Sequence, residues 1–196
     1  MKFLKIGVLA FHGDVYEHIE ATKKAAKKIK MNVDIIPVRT KEVLHNLDAL
    51  IIPGGESTTI QKLCEREGMI EGIKSIRNIF GTCAGAIMLA RTIQHKMLGQ
   101  KTLHLMNIEI DRNAYGRQTE SFEKDLKTNL GSIHAIFIRA PKIKKIGKAV
   151  NILARNNNEI LACEERVSDC FYLATCFHPE LTSTTFHEYF LKQVAR

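Results

Sequence analysis

Apolar runs of strand length alternate with amphipathic stretches through the first half of the chain. Residues 4–11 form a near-continuous apolar run, as a strand buried on both faces requires. After the loop His12-Gly13-Asp14, Val15, Ile19, Thr22, Ala26 and Ile29 recur at helical spacing among lysines, which predicts a helix with one buried face. Residues 33–38 read as a second strand, Thr40 as the N-cap of a short helix, and residues 49–52 as a third buried strand. Pro53-Gly54-Gly55-Glu56-Ser57-Thr58 then makes a turn in which Ser57 or Thr58 can cap the next helix. Helical stretches at 58–66 and 69–75, on either side of Gly68, lead to a short apolar run ending in Ile79-Phe80, and residues 86–90 are again helix-forming.

The character changes after residue 103. Short segments at 107–111, 121–126, 133–139, 150–154 and 160–163 are separated by turn residues at Asn113, Gly116, Asn129-Leu130-Gly131 and Asn156-Asn157-Asn158, which predicts antiparallel strands. The aromatic and apolar run 171–177 returns to the core, and a last helix over 184–195 carries Phe186, Tyr189, Phe190 and Val194 on one face. The pattern predicts an α/β fold: a mostly parallel sheet with helices on both faces and added antiparallel strands. With 196 residues, the expectation is a single domain over 1–196.

Composition narrows the function classes. The chain is 45% hydrophobic and 26% charged, as soluble globular chains are. No apolar run approaches the ~18 residues of a membrane helix, and the N-terminal run is too short and too charged for a signal peptide. A cytoplasmic protein without membrane contact is expected. The net charge is +8, and the main basic runs are lysines at 23, 24, 27, 28 and 30 and at 142, 144, 145 and 148. Neither run is interleaved with stacking aromatics, so they read as a solvated helix face and a charged loop, not as a nucleic-acid site; an acidic partner protein also fits them. Five cysteines, an odd number without a C-x-x-C pair, argue against a disulfide framework and against a zinc site.

Gly81-Thr82-Cys83-Ala84-Gly85 stands at a strand-to-helix junction and has the form of a nucleophile elbow, in which small neighbours let the chain bend and present the central residue. A helix starting at Ala84 would aim its free N–H groups at the Cys83 sulfur. The same five residues also fit a small buried hydrophobe at a tight turn. A base is available in Phe177-His178-Pro179-Glu180: if the chain there is extended, Glu180 stands beside His178, and a carboxylate on one imidazole nitrogen leaves the other free to take the Cys83 proton. A strand-end histidine with a solvated glutamate nearby is the plainer alternative. Cys176 shares strand parity with His178 but has no turn to expose it. The glycine turn 53–58 lies where open α/β sheets bind ligands, yet it lacks the G-K-[ST] ending of a phosphate loop.

Taken together, Phe80-Gly81-Thr82-Cys83-Ala84-Gly85, Pro53-Gly54-Gly55-Glu56-Ser57-Thr58 and Phe177-His178-Pro179-Glu180 resemble the triad (class I) glutamine amidotransferases. Asp111-Arg112-Asn113-Ala114-Tyr115-Gly116-Arg117-Gln118, Ser121-Phe122-Glu123 and Phe137-Ile138-Arg139-Ala140-Pro141 narrow the likeness to the PdxT family, the glutaminase subunits of pyridoxal 5′-phosphate synthase. The likeness runs from the first strand to the last helix. One departure is His12-Gly13, where the family usually has Gln-Gly in a loop that helps complete the oxyanion hole.

The resemblance implies a three-layer, flavodoxin-like class I glutamine amidotransferase fold. It implies that L-glutamine is hydrolysed to glutamate and ammonia by Cys83, His178 and Glu180, without a cofactor. The ammonia would pass to a PdxS-type synthase subunit, in a large hetero-oligomer, that builds pyridoxal 5′-phosphate. By the same resemblance Gly55, Glu56, Ser57, Arg112, Ile138 and Arg139 bind the substrate, and the N–H groups of Gly55 and Ala84 form the oxyanion hole. Chemically, the arginines suit the α-carboxylate and Glu56 the α-ammonium group of glutamine. Two alternatives stay open: a glutaminase serving another synthase, and a flavodoxin-like binding protein whose Cys83 is inert.

Overall fold

The computed structural model describes residues 3–112 and 121–196. Strand β3 (Ala49–Ile52) shows how the sequence divides itself between two cores. Its side chains alternate, so Leu50 and Ile52 enter one apolar cluster while Ala49 and Ile51 enter the other, and all four are fully buried. A strand apolar at every position has to be covered on both sides. One cover consists of α2 (Lys41–Leu44), α3 (Ser57–Arg66), α4 (Ile70–Lys74) and α5 (Ala84–Leu89), which contribute Leu44, Ile60, Cys64, Ile73 and Met88. The other consists of α1 (Val15–Lys28) and α6 (Thr185–Val194), which contribute Ala25, Ala26, Phe186, Phe190 and Leu191. Each large side chain buried there is worth about 1.5–3 kcal/mol, so the two clusters hold the three layers together.

Strands β1 (Leu4–Leu9), β2 (Val33–Val38), β3, β4 (Asn78–Thr82) and β12 (Cys170–Thr175) run parallel in the order β2-β1-β3-β4-β12. This is the flavodoxin-like order, with the final strand as the fifth member. Beyond β12 the sheet continues antiparallel through β11 (Glu159–Val167), β10 (Val150–Asn156), β7 (Phe122–Thr128) and β8 (Gly131–Phe137). Among the described residues no helix is long and apolar enough to cross a membrane.

Two strands depart from the sequence reading. Residues 86–90 do not finish as helix: Ala90 is extended (φ −60°, ψ 147°) and opens β5 (Ala90–Gln94), which pairs parallel to β6 (Met106–Asp111). The second lysine run is not a charged loop but β9 (Lys142–Ile146), paired with β6 and touching β11. Ile143 is buried there while Lys144 and Lys145 are exposed, so a short strand with one apolar face hides inside a run of charge. The lysines of α1, by contrast, do form a solvated face: Lys23, Lys24, Lys27 and Lys28 are all exposed.

Candidate active site at the carboxyl ends of the parallel strands

Cys83 follows β4 directly and starts α5, with φ 49° and ψ −103°. A non-glycine residue in such a conformation costs on the order of 1–3 kcal/mol and persists only where its surroundings impose it. Here its N–H donates to the Thr175 carbonyl at 2.8 Å and its carbonyl accepts from Ile87 N–H at 3.2 Å. The flanking glycines are required by close backbone approach. A Cβ on Gly85 would lie 2.0 Å from the Ile52 carbonyl oxygen, and one on Gly81 would lie 2.5 Å from the Gly85 carbonyl carbon. The elbow is therefore clamped between β3 and β12. The Cys83 thiol is almost buried and points toward the Ile138 carbonyl at 3.8 Å. Cys176 is different: it is fully buried against the Ile160 carbonyl, and burial pushes its thiol up to about 12.

His178 leaves β12 after a two-residue bend, with its N–H donating to the Ile136 carbonyl at 2.9 Å. Its Nδ1 meets Glu180 Oε1 at 2.7 Å. The contact expected from the sequence exists, but not by way of an extended chain, because Pro179–Leu181 is a 3₁₀ turn with Pro179 at its start. Nδ1 also lies 3.0 Å from Asp14 Oδ2, a partner that the sequence reading missed. Both carboxylates only accept, so Nδ1 carries a proton, and Nε2 points away from them. Nε2 is buried and makes no hydrogen bond. Burial alone pushes the imidazole down; against it, Asp14, Cys83 and Glu180 raise it, and the balance lies above the ordinary histidine value. Burial raises the Glu180 carboxyl, while its bond to His178 lowers the Asp14 carboxyl.

Asp14 ends the loop after β1, and this loop lies against the one after β3. Gly13 has φ 87°, and a Cβ there would stand 1.9 Å from the Gly54 carbonyl oxygen. Asp14, His178 and Glu180 are also of metal-ligating type, with ligand atoms within 4.8 Å of one another. Their 2.7 and 3.0 Å separations are hydrogen-bond lengths that the Nδ1 proton accounts for.

The expected substrate residues fall into two groups. Glu56 is the true N-cap of α3, in place of Ser57 or Thr58. Its carboxylate accepts from Thr58 N–H at 3.1 Å, Thr59 N–H at 2.6 Å and both threonine hydroxyls. Partial burial raises this carboxyl and the four threonine hydrogen bonds lower it, leaving it at about 2. Arg112, immediately after β6, binds Glu56 Oε1 at 3.2 Å and Gln100 Oε1 at 2.8 Å, while Gln100 Nε2 donates to Ser57 Oγ at 2.9 Å. Gln100 is buried and was missed by the sequence reading; no local pattern marks it. Ile138 and Arg139 follow β8, and Arg139 is exposed with φ 44°. Gly55 (φ 126°) and Ala84, the first residue of α5, stand at the ends of the β3 and β4 connections. The 113–118 part of the family-like motif lies outside the described residues.

Fold and site thus define a class before any comparison: an open α/β protein with a cysteine on a strained elbow and a carboxylate-bound histidine at the same sheet edge. A solved crystal structure of a glutamine amidotransferase has this architecture, with a TM-score of 0.82 and 42% identity over 97% of this chain and 99% of that one. A putative GMP synthase protein from Thermoplasma acidophilum shares the fold at a TM-score of 0.66 and 18% identity, over 100% of this chain and 96% of that one. The chain belongs to the SNO glutamine amidotransferase family, whose model matches residues 8–196. Among its curated relatives are the pyridoxal 5′-phosphate synthase subunits PdxT of Oenococcus oeni, 45% identical over 96% of each chain, and of Pyrococcus horikoshii, 41% identical over 97% of this chain and 100% of that one.

Proposed function

We infer that this chain hydrolyses L-glutamine to L-glutamate and ammonia as the glutaminase subunit of a pyridoxal 5′-phosphate synthase, working in the cytoplasm and handing the ammonia to a synthase subunit in a hetero-oligomer. The observation that carries the reading is the presence at one sheet edge of Cys83 on its elbow and a His178 whose Nδ1 is held by carboxylates and whose Nε2 is unpaired. Near-full-length similarity to PdxT proteins supports the acceptor.

Cys83 Sγ attacks the side-chain amide carbon of glutamine as His178 Nε2 takes the thiol proton, and the carbonyl oxygen becomes an oxyanion facing the Gly55 and Ala84 N–H groups. His178 then returns the proton to the amide nitrogen, the C–N bond breaks and ammonia leaves a thioester on Cys83. Water, deprotonated by His178, attacks that thioester; the C–S bond breaks, glutamate forms and the proton returns to the thiolate. Glu180 holds the imidazole in the required tautomer throughout. Glu56, Ser57, Arg112, Ile138 and Arg139 bind the amino-acid end. Arg112 answers the α-carboxylate, and the Glu56 oxygens answer the α-ammonium group.

The test is ammonia release from glutamine by the chain mixed with its synthase subunit, before and after treatment with a thiol-directed glutamine analogue. Analogue-sensitive release that feeds pyridoxal 5′-phosphate synthesis is expected. No release from the intact complex would overturn the reading.

A further inference from the structure

Behind Glu180, on the side away from His178, two histidines that take no part in the steps above are completely enclosed. His18 is on α1 and His187 on α6, and both are 0% exposed. His18 Nδ1 meets His187 Nε2 at 3.0 Å. His18 Nε2 meets Thr82 Oγ1 at 3.0 Å and lies 3.4 Å from Glu180 Oε2. Thr82 is the residue before Cys83, so the cluster joins the back of the elbow to the back of the carboxylate.

The proton positions follow from the ends of this chain. Oε2 is buried and makes no hydrogen bond, and the ring nitrogen it approaches, at 3.4 Å, is His18 Nε2. A carboxylate only accepts; Nε2 of His18 therefore carries the ring proton, directed between Thr82 and Glu180. Burial, the neighbouring His187 and His178 hold His18 well below the ordinary histidine value, so the ring is neutral and its Nδ1 is an acceptor. His187 Nε2 must then donate to it, which leaves His187 Nδ1 without a proton. That atom is buried and has no partner. The opposite polarity would bury an N–H there with nothing to receive it, which is the costlier outcome. Burial pushes His187 down to about 3, so it too is neutral.

We propose that His18 is a positioning residue for Glu180, with His187 setting its tautomer, so that donors run in one direction from His187 through His18 to the carboxylate that orients His178. Glu180 is raised by its own burial, and its second oxygen makes no hydrogen bond, with His18 Nε2 at 3.4 Å. A donor at Oε2 favours the ionised form and fixes the rotation that keeps Oε1 on Nδ1. The titratable groups facing this carboxylate are His178 on its own turn, Asp14 at the start of α1, His18 within α1 and, through His18, His187 on α6.

The proposal rests on the glutaminase reading, and the experiment separates the two. In the complete complex, His18→Leu is expected to lower kcat about 10- to 100-fold, the usual cost of losing a partner that orients a functional group. KM for glutamine should change by less than about twofold, and the acidic limb of the kcat profile should move upward as Glu180 becomes harder to ionise. His18→Gln, which restores an N–H₂ donor, should recover most of the rate. A His18→Leu protein with wild-type kcat and an unmoved acidic limb would overturn the proposal. Should that variant fold poorly, nitrogen NMR of the unmodified protein decides: His18 and His187 should both be Nε2–H tautomers that do not titrate between about pH 5 and about pH 9. A proton on His18 Nδ1 would overturn it. Absence of glutamine hydrolysis by the wild-type complex would instead sink the glutaminase reading, whatever the tautomers.

Discussion

Each parallel strand bordering the site ends in residues of the candidate site, whereas the antiparallel extension contributes Arg112, Ile138 and Arg139. Asp14 follows β1, Gly55 and Glu56 follow β3, Cys83 follows β4 and His178 follows β12. Parallel strands joined by crossovers present all their carboxyl ends on one edge, so chemistry collects there without special arrangement. In the extension the chain direction reverses from strand to strand along β12, β11, β10, β7 and β8, with β6 joined to it through β9. Arg112 follows β6, and Ile138 with Arg139 follows β8. The two halves differ in kind as well. The parallel edge places a histidine and a carboxylate under cover, with His178 and Glu180 buried, and the extension brings arginines, with Arg139 exposed. The division expected from this contrast is that changes on the parallel edge strike kcat and changes on the extension strike KM.

The hardest test of that division is Cys83→Ala. Loss of glutamine-dependent synthesis by on the order of 10⁵- to 10⁶-fold is expected, because removing a nucleophile costs about as much as removing its whole catalytic set. Synthesis from added ammonium salt should persist in the same complex, since the synthase subunit is untouched. Glutaminase activity surviving this substitution would move the nucleophile elsewhere. Next in size is Glu180→Gln: kcat should fall by roughly 10⁴-fold with KM almost unchanged, as the imidazole tautomer is no longer enforced. A steady-state series showing a change in KM alone would remove Glu180 from the chemical half.

Arg112→Ala should act on the other side. Losing a charge-assisted contact costs about 1.5–3 kcal/mol, so KM should rise about 10- to 100-fold while kcat changes little. The variant also strips Glu56 and Gln100 of a shared partner. Gln100→Ala, which leaves the guanidinium in place, should therefore raise KM less than Arg112→Ala does. Equal effects would mean that Arg112 works through the network alone and not on the substrate.

The contrast between the halves also governs how much could be read from the chain itself. The strands β1, β3, β4 and β12 announce themselves by apolar runs, and the elbow by glycines whose close approach to β3 the structure accounts for. In the extension, β9 was hidden because Lys144 and Lys145 dominate a strand whose core contact is Ile143, and β5 because Ala90 continues the composition of the preceding helix. Within the site, legibility followed sequence distance. Glu180 sits two residues from His178 and was found, though through a 3₁₀ turn instead of an extended chain. Asp14 meets His178 across 164 positions (178 − 14), His18 meets Glu180 across 162 (180 − 18), and His187 meets His18 across 169. Gln100 is nearer to Arg112, at 12 positions, but a whole strand intervenes. No local pattern encodes such meetings; only the sheet order does. His18 illustrates the point: it is not one of the residues that mark the face of α1 in the sequence, yet it is buried there with Ala21, Thr22, Ala25 and Ala26.

The smallest expected effect concerns Asp14, which belongs to the parallel edge but lies in a loop and is partly exposed. Its carboxyl is lowered by His178, and the His178 imidazole is raised, with Asp14 among the causes. A lowered carboxyl stabilises the fold above its unfolded value of about 3.9 and loses that contribution as pH falls through the folded value. A raised histidine stabilises the fold fully below its unfolded value of about 6.5 and loses that contribution as pH rises toward the folded value. Both contributions are complete only between about pH 4 and about pH 6.5. Asp14→Asn should therefore lower Tm most within that window, by about 2–4 °C if the partly screened pair is worth about 1 kcal/mol. The deficit should shrink on either side of it. Because Glu180 still holds Nδ1 at 2.7 Å, kcat should fall far less than in Glu180→Gln. Thermal melts of the two proteins across this pH range, with kcat measured at each point, provide the check. A deficit that does not vary with pH would make Asp14 a loop-packing residue, and a loss of kcat matching that of Glu180→Gln would make the two carboxylates equal partners of the imidazole.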